Sequence, residues 1–216
     1  MSEVIFVSGI HTDAGKSYAT GWWARRMMDG GKSVVTQKFI QTGNRGYSED
    51  IDVHRAIMGT GMLPEDTDHT TAPVIFSYPA SPQLAASIDR REIDLGAIDA
   101  ATATLASRYD VVLVEGAGGL MVPIDDATFT IDYVASRRLP LALVTNGSLG
   151  SINHTILSLE AVKSRRIPLR AVLYNTHFDT DAMIAADTRG FISRYLAREF
   201  PGVEMIDVPS IPLKKS

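Results

Sequence analysis

The sequence contains no cysteine among its 216 residues. This absence excludes disulfide bonds, a thiolate nucleophile, and zinc or iron–sulfur sites built from cysteine. No apolar stretch approaches the length of about 20 residues that a membrane-spanning helix needs. The N-terminus leads directly into a strand pattern, without the basic region and apolar segment of a signal peptide. We therefore expect a cytoplasmic protein with no membrane partner.

The chain also has little net charge. Its 21 Lys and Arg residues nearly balance 25 Asp and Glu residues, giving a formal charge of −4 and a pI near 5.7. Proteins that bind the phosphate backbone of nucleic acid usually carry excess positive charge, so we expect no nucleic-acid partner. The sequence shows neither an internal repeat nor a low-complexity tract. Its length suits one domain over residues 1–216.

Residues 4–17, VIFVSGIHTDAGKS, are the most informative stretch. A short apolar run precedes a glycine-bearing polar turn, and Gly15-Lys16-Ser17 then opens a helical pattern. Backbone N–H groups of such a turn and the Lys16 ammonium favour a polyphosphate, and the Ser17 hydroxyl suits a metal ion. Five residues separate Gly9 from Gly15, where the common phosphate loop has four. The pattern predicts a variant P-loop; the alternative is an ordinary glycine turn before a helix.

Apolar strand patterns alternate with helical patterns along the rest of the chain. The strand patterns are SVVTQKF (33–39), YDVVLVEGAGGL (109–120), LPLALVTNG (139–147), PLRAVLYNTHF (168–178) and VEMIDVP (203–209). Their almost continuous apolar character is typical of strands buried on both faces. The sequence therefore predicts a single-domain α/β fold of the P-loop NTPase type: a doubly wound, mostly parallel sheet with helices on both faces and right-handed crossovers.

Charged side chains fall near the ends of two predicted strands. Lys38 lies at the end of strand 33–39, and Glu115 ends the apolar run within 109–120, just before four small residues, 116–119, that predict a loop. Because the carboxyl ends of parallel strands face one crevice, both side chains should lie beside the phosphate loop. A carboxylate there could bind the magnesium ion that accompanies a triphosphate. For Lys38, a solvated lysine at a strand end is the alternative.

The acidic residues that follow Lys38 are less decisive. Residues 40–50 are polar and predict a loop, and the helical pattern IDVHRAIMG after it carries Asp52 near its start. The helix dipole favours acidic residues in a first turn whatever their function, so Asp50 and Asp52 are both open as metal ligands at this point.

Three further features concern ligands. Asn175 lies near the end of strand 168–178, where its carboxamide could pair with a base edge. A helix is predicted from Ser148 to Arg165, and its N-terminus is a second possible anion site. The five histidines lack the spacing of metal ligands, and we assign none of them a catalytic role.

Taken together, these stretches resemble the dethiobiotin synthetase family. The resemblance covers nearly the whole chain in order, through SGIHTDAGKS, QKFIQTG, FSYPASP, LVEGAGGLMVP, LGSINHT and the strand-end Asn175. It implies an ATP-dependent cyclo-ligase of biotin biosynthesis that joins 7,8-diaminononanoate and CO2 into dethiobiotin and releases ADP and phosphate. The implied reaction passes through a carbamate and a carbamic–phosphoric anhydride. The resemblance also implies a homodimer and the use of Mg²⁺.

Roles for individual residues follow from the resemblance. The implied nucleotide-binding residues are Thr12, Asp13, Ala14, Gly15, Lys16, Ser17, Asn175 and Pro209. The implied catalytic residues are Lys38, Lys16 and Thr12. Substrate would be bound by Lys38, Thr42 and Gly118, and, from across the dimer interface, by Gly150, Ser151 and Asn153. The implied metal ligands are Ser17, Asp52 and Glu115, with Asp50 as the alternative to Asp52.

Two positions depart from the family pattern, and two other functions fit a variant P-loop. Phe39 replaces the proline after the lysine, and Gln83 stands where histidine is frequent. A switch related to partition ATPases would carry a signature lysine at position 11, where this chain has His11. An amide-forming ligase on the same scaffold would carry an added glutaminase domain with a cysteine, which this sequence lacks.

Overall fold

A computed structural model describes residues 2–210 of the protein. Its strands are β1 (Glu3–Gly9), β2 (Val34–Lys38), β3 (Gln41–Thr42), β4 (Ile75–Phe76), β5 (Val111–Gly119), β6 (Leu141–Asn146), β7 (Leu169–Asn175) and β8 (Glu204–Val208). Six of them form a sheet in the order β2-β5-β1-β6-β7-β8, and every neighbouring pair is parallel. The short strands β3 and β4 pair separately, also in parallel.

Helices connect these strands. They are α1 (Lys16–Asp29), α2 (Glu49–Met58), α3 (Pro64–Thr67), α4 (Pro82–Asp89), α5 (Leu95–Ala106), α6 (Thr130–Ser136), α7 (Ser151–Ser164) and α8 (Ala182–Glu199), with a 3-10 turn at Thr176–Phe178. Within residues 2–210, none of the helices has the length and apolar character needed to cross a membrane. The predicted single domain over residues 1–216 extends beyond the described residues at both ends.

The core lies on both faces of the large sheet. Ile5, Phe6 and Val7 are consecutive in β1 and all fully buried. Because successive side chains of a strand point to opposite faces, both faces must be covered. On one face, the Phe6 ring packs against Phe39 at a centroid distance of 5.4 Å and against Tyr133 of α6 at 6.4 Å. The predicted doubly wound parallel sheet is confirmed.

Two boundaries differ from the sequence prediction in ways that affect the site. Helix α2 begins at Glu49 and not at Ile51, because the Ser48 side chain caps it by accepting a hydrogen bond from the Ile51 N–H at 3.3 Å. Strand β5 continues through its glycines to Gly119, which pairs with Gly9 at the end of β1. The glycine segment after Glu115 is therefore part of the sheet.

The strand register brings the predicted polar residues to one edge. Lys38 at the end of β2 is the register partner of Glu115 in β5, and Asn146 at the end of β6 is the partner of Asn175 in β7. Since all six strands run in the same direction, these ends share the crevice beside the N-terminus of α1. The fold thus places the phosphate loop and the charged strand ends next to each other.

Candidate active site

The turn between β1 and α1 forms an anion cradle. Gly15 is the N-cap of α1 with a left-handed φ of 82°, and the helix start has no side-chain cap. The N–H groups at a helix start can bind a ligand, and the helix dipole favours an anion there. A Cβ at Gly15 would collide with Nδ2 of Asn175. Glycine is required at this position by both the backbone angle and the neighbouring side chain.

The Lys16 ammonium lies within this cradle. Its Nζ donates to the carbonyl oxygen of Thr12 at 2.8 Å and to that of His11 at 3.4 Å, and the residue is buried. Burial lowers the pKa of Lys16, although Glu115 and Asp50 act in the opposite direction. Thr12 thus contributes its carbonyl group to hold a buried cation at the phosphate loop.

Lys38 is the second buried cation of the site. Its Nζ lies 2.5 Å from Oδ2 of Asp50 and 2.8 Å from Oε1 of Glu115, and it donates to the Gly116 carbonyl at 3.2 Å. Burial opposes its charge, but Glu115 and Asp50 more than offset this and raise the pKa of Lys38. Glu115 is fully buried, which raises its pKa, yet the charge of Lys38 and the hydrogen bond with His54 lower that pKa well below its usual value. Lys38 and Glu115 are therefore a charged pair.

The side-chain oxygens of Ser17, Asp50 and Glu115, which could bind a metal ion, lie close together beside Lys38. Oγ of Ser17 lies 2.5 Å from Oδ1 of Asp50 and 2.9 Å from Oε1 of Glu115. Hydroxyl and carboxylate oxygens are the hard donors that Mg²⁺ prefers, and this ion commonly takes one or two carboxylates together with substrate phosphates. The donor set fits a nucleotide-associated magnesium ion.

The structure places Asp52 away from Ser17 and Glu115, the other two implied metal ligands. Asp52 is exposed in the first turn of α2 and does not line the cavity that holds Ser17 and Glu115, whereas Asp50 does. Because α2 starts at Glu49, Asp50 faces the site, and a residue two positions further along a helix points to nearly the opposite side. Asp50 is the acidic residue of this helix that the structure brings to the site.

Two adjoining cavities define the space for ligands. The first, of about 470 Å³, contains the charged residues Asp13, Lys16, Lys38, Asp50 and Glu115, together with Ser17. The second, of about 440 Å³, is lined by the uncharged residues Thr12, Thr42, Pro79, Ala80, Ser81, Pro82, Ala117, Gly118 and Val122. Thr12, Thr42, Ala117 and Gly118 border both cavities. A polyanion and a less polar molecule could thus lie side by side.

Asn175 and Pro209 lie near the phosphate loop on its other side. Asn175 is buried, and its Oδ1 accepts a hydrogen bond from the His177 N–H at 3.1 Å. The Pro209 carbonyl accepts a hydrogen bond from the Tyr18 hydroxyl at 3.1 Å. Tyr18 and Phe178 both line the charged cavity. Sequence reasoning missed these two aromatic residues, because an aromatic side chain next to a helix start or strand end has no distinctive spacing.

The start of α7 lies outside both cavities. Gly150 caps the helix with a φ of 95°, and Oγ of Ser151 donates to Oδ1 of Asn146 at 2.6 Å. Asn153 is exposed. The structure therefore does not bring Gly150, Ser151 and Asn153 to the phosphate loop of the same chain, and their role across an interface stays a prediction.

His54 is the functional candidate that sequence reasoning passed over. Its Nε2 lies 2.7 Å from Oε2 of Glu115, and both side chains are fully buried. The position is four residues after Asp50, so the two side chains share one face of α2. The four-residue spacing from Asp50 indicates that His54 lies at the site only when Asp50 is included in the helix.

Known proteins are similar to this sequence along nearly its whole length. A family model described as an AAA domain matches residues 3–206. The ATP-dependent dethiobiotin synthetase BioD 2 of Pasteurella multocida is 46% identical over 213 residues, covering 98% of this chain and 100% of that protein. The protein of the same name from Haemophilus ducreyi is 47% identical over 206 residues, covering 95% and 98%.

The chain belongs to the ATP-dependent dethiobiotin synthetase family. A further relative, the ATP-dependent dethiobiotin synthetase BioD of Chlorobaculum tepidum, is 47% identical over 196 residues, 91% of this chain and 82% of that protein. The family resemblance seen in the sequence is thus confirmed.

Solved structures share the dethiobiotin synthetase fold at low sequence identity. A putative plasmid partition protein of Borrelia burgdorferi bound to AMPPNP aligns with a TM-score of 0.57 at 13% identity, covering 99% of this chain and 92% of that one. The MinD-containing cell division complex of Aquifex aeolicus gives 0.56 at 17% identity, covering 98% and 83%. These likenesses concern the fold, which is that of P-loop NTPases.

Proposed function

We propose that the protein is an ATP-dependent dethiobiotin synthase that converts 7,8-diaminononanoate and CO2 into dethiobiotin, with release of ADP and phosphate. The observation that carries the proposal is the pair of buried ammonium groups, Lys16 and Lys38, in one cavity that adjoins an uncharged one. The charged cavity suits the triphosphate. The uncharged cavity suits the carbon chain of the diamine, with Thr42 and Gly118 between the two.

The proposed chemistry is ring closure in three steps. One amine nitrogen of the substrate attacks the carbon of CO2 and loses a proton, which gives a carbamate. A carbamate oxygen then attacks the γ-phosphorus of ATP, and ADP leaves with the electrons of the broken P–O bond. The second amine attacks the carbonyl carbon of the mixed anhydride, phosphate leaves, and loss of a proton completes the cyclic urea.

The protein contributes charge and position more than proton transfer. Carbamate and triphosphate are both anions and repel each other, so two fixed cations between them favour the approach of the reacting atoms. Lys16 serves the phosphates of the nucleotide, with Thr12 to Gly15 supplying backbone N–H groups. Lys38 serves the carbamate. Asn175 and the backbone at Pro209 recognise the base.

Ser17, Asp50 and Glu115 are the residues that would hold Mg²⁺. When bound, the ion neutralises phosphate charge and favours departure of ADP. Asp50 replaces Asp52 in this proposal because Asp50 contacts both Ser17 and Lys38.

A homodimer would complete the site. The exposed apolar residues Leu149 and Leu157 flank the start of α7, and Met121 is also exposed. Met121 and Leu157 line one surface cavity of about 370 Å³ with His154. A second copy covering this face would present Gly150, Ser151 and Asn153 to the substrate of its neighbour, where the N-terminal end of a helix suits a carboxylate. We further propose the cytoplasm, where ATP is available, as the compartment.

Isotope-labelled CO2 tests the function. The purified protein is incubated with ATP, Mg²⁺, 7,8-diaminononanoate and labelled bicarbonate, and the cyclic urea and free phosphate are measured together. We expect labelled dethiobiotin and phosphate in equal amounts, and no phosphate release above background without the diamine. ATP hydrolysis without cyclic urea, or hydrolysis indifferent to the diamine, would contradict the proposal.

A further inference from the structure

We propose that His54 is a positioning residue for Glu115: its Nε2–H group holds one carboxylate oxygen so that the other faces Ser17 and Lys38. This inference rests on the proposed function insofar as Glu115 serves a nucleotide-bound metal ion. It concerns the side chain that orients a ligand, and not a ligand itself.

The contacts of Glu115 are divided between its two oxygens. Oε1 receives Nζ of Lys38 at 2.8 Å and Oγ of Ser17 at 2.9 Å. Oε2 is 2.7 Å from Nε2 of His54. Rotation of the carboxylate would therefore break the contact with His54, and the oxygen that faces the cavity is fixed by this bond.

The proton on His54 can be assigned from its partner. An ionised carboxylate has no hydrogen to donate, so Nε2 must carry the proton that joins the two groups. Within residues 2–210, the other ring nitrogen, Nδ1, is buried and has no hydrogen-bond partner. Burying a histidine nitrogen without a hydrogen-bond partner destabilises the folded protein, because no new hydrogen bond offsets the desolvation of that atom. The bond to Glu115 is the polar interaction that explains its presence.

Helix α2 delivers Asp50 and His54 to the site as one unit. The two residues are four positions apart on its inner face, and Gly21 of α1 allows α2 to approach closely, because a Cβ there would lie 3.1 Å from Cα of His54. The helix is anchored further along by Arg55, which forms two hydrogen bonds of 2.8 Å to Asp66. Asp50 and His54 therefore approach Ser17 and Glu115 from a fixed support.

The affinity for a metal ion tests this role without measuring turnover. Mn²⁺ serves as the probe in place of Mg²⁺, and its dissociation constant is measured by electron paramagnetic resonance with a non-hydrolysable ATP analogue present. Loss of a group that orients a metal ligand typically weakens metal binding by about 10- to 100-fold. We expect that loss for His54→Leu, with unchanged affinity for the analogue in the absence of metal. His54→Gln retains a side-chain N–H donor and should recover most of the Mn²⁺ affinity.

A neighbouring core residue provides the matched control. Ile57 lies on the same helix, is buried and packs on Gly21. Ile57→Ala should lower the melting temperature and leave the Mn²⁺ affinity unchanged. Should His54→Leu fail to fold, His54→Asn applies the same test, because its shorter side chain stays polar but cannot reach Oε2; it should lose affinity as well.

Several results would overturn the proposal. These are unchanged Mn²⁺ affinity in His54→Leu or His54→Asn, no recovery in His54→Gln, or an equal loss in Ile57→Ala. Failure of the proposed function is separable from these results, because the assay contains neither diamine nor CO2. A wild-type protein that makes no cyclic urea but loses Mn²⁺ affinity on replacement of His54 would refute the reaction and retain the positioning role.

Discussion

Lys38 and Glu115 are register partners on adjacent parallel strands, and Nζ of Lys38 lies 2.8 Å from Oε1 of Glu115. Their proximity is therefore a property of the sheet and not of a flexible loop. Phe39 strengthens this arrangement: its N–H donates to the Glu115 carbonyl at 2.8 Å, and its ring is fully buried. A proline at position 39 could not make that bond. The departure from the family pattern at this position is thus matched by a hydrogen bond between the two strands.

Asp50 and Asp52 offer a matched pair of substitutions. We expect Asp50→Asn to raise the Mg²⁺ concentration needed for half-maximal turnover by at least about tenfold, since even outer-sphere partners of metal sites contribute that much. Asp52→Asn should change it little, because Asp52 is exposed and outside the cavity. A Mg²⁺ titration of the steady-state rate measures both. A larger effect from Asp52→Asn than from Asp50→Asn would contradict the assignment of Asp50 to the metal site.

Alanine substitutions at Gly15 and Gly31 distinguish the effect of backbone strain from the effect of blocking the nucleotide site. Both have a left-handed backbone, with φ of 82° and 85°, and a Cβ at Gly31 would meet nothing within 4 Å. Gly31→Ala should therefore lower the free energy of unfolding by about 1–2 kcal/mol and leave nucleotide affinity unchanged. Gly15→Ala adds a collision with Asn175 and should also abolish nucleotide binding. Urea unfolding and calorimetric titration with ATP distinguish the two, and equal ATP affinity in both variants would contradict the assigned phosphate site.

The buried ion pair of Arg55 and Asp66 should make the free energy of unfolding fall at acid pH. Burial raises the pKa of Asp66, but the hydrogen bonds from Arg55 and the Leu63 N–H outweigh it and lower that pKa. A lowered pKa in the folded state stabilises the protein above the unfolded value of about 3.9, and the contribution is lost as the pH falls below it. Asp66→Asn should thus destabilise the protein by about 3–5 kcal/mol at pH 7, because the buried Arg55 guanidinium loses its negatively charged partner.

The pH dependence is checked by urea unfolding at a series of pH values. The difference in unfolding free energy between wild type and Asp66→Asn should shrink as the pH falls below about 3.9, since Asp66 of the unfolded chain then binds a proton more readily than Asp66 of the folded protein. A difference that stays constant from pH 7 to pH 3 would show that ionisation of Asp66 does not contribute.

The large sheet could be predicted because its strands are buried on both faces. In a chain of alternating strands and helices, continuous apolar runs such as residues 111–114 are typical of a parallel sheet that is covered on both faces. The charged residues at the ends of these runs then lie at one edge of the sheet. Strand β3 could not be predicted because two residues carry no periodic pattern, and neither could its pairing with β4. Their pairing depends on tertiary contacts near the end of β2.

The placement of Asp52 away from the site has a local cause. The polar character of residues 40–50 predicts a loop, although Ser48 followed by Glu49 and Asp50 is a typical helix start. The family resemblance implies Asp52 with Asp50 as the alternative, and only the helix geometry distinguishes two aspartates that are two positions apart. If the helix begins at Ile51, Asp50 lies outside it, and the four-residue spacing between Asp50 and His54 then carries no information.

The central claim is that Lys38 acts on the reacting carbamate while Lys16 holds the nucleotide. Lys38→Ala tests it, with Lys32→Ala as the control because Lys32 is an exposed lysine just before β2. Loss of a group that stabilises developing charge commonly lowers turnover by about 10²- to 10³-fold. Calorimetric titration with ATP reports separately on the nucleotide site.

The decisive measurement is labelled dethiobiotin formation in wild type, Lys38→Ala and Lys32→Ala, alongside the ATP affinity of each. We predict that Lys38→Ala loses ring formation but largely keeps its affinity for ATP, whereas Lys32→Ala matches wild type in both. Ring formation that survives in Lys38→Ala, or an ATP affinity that falls as steeply as turnover, would contradict the account.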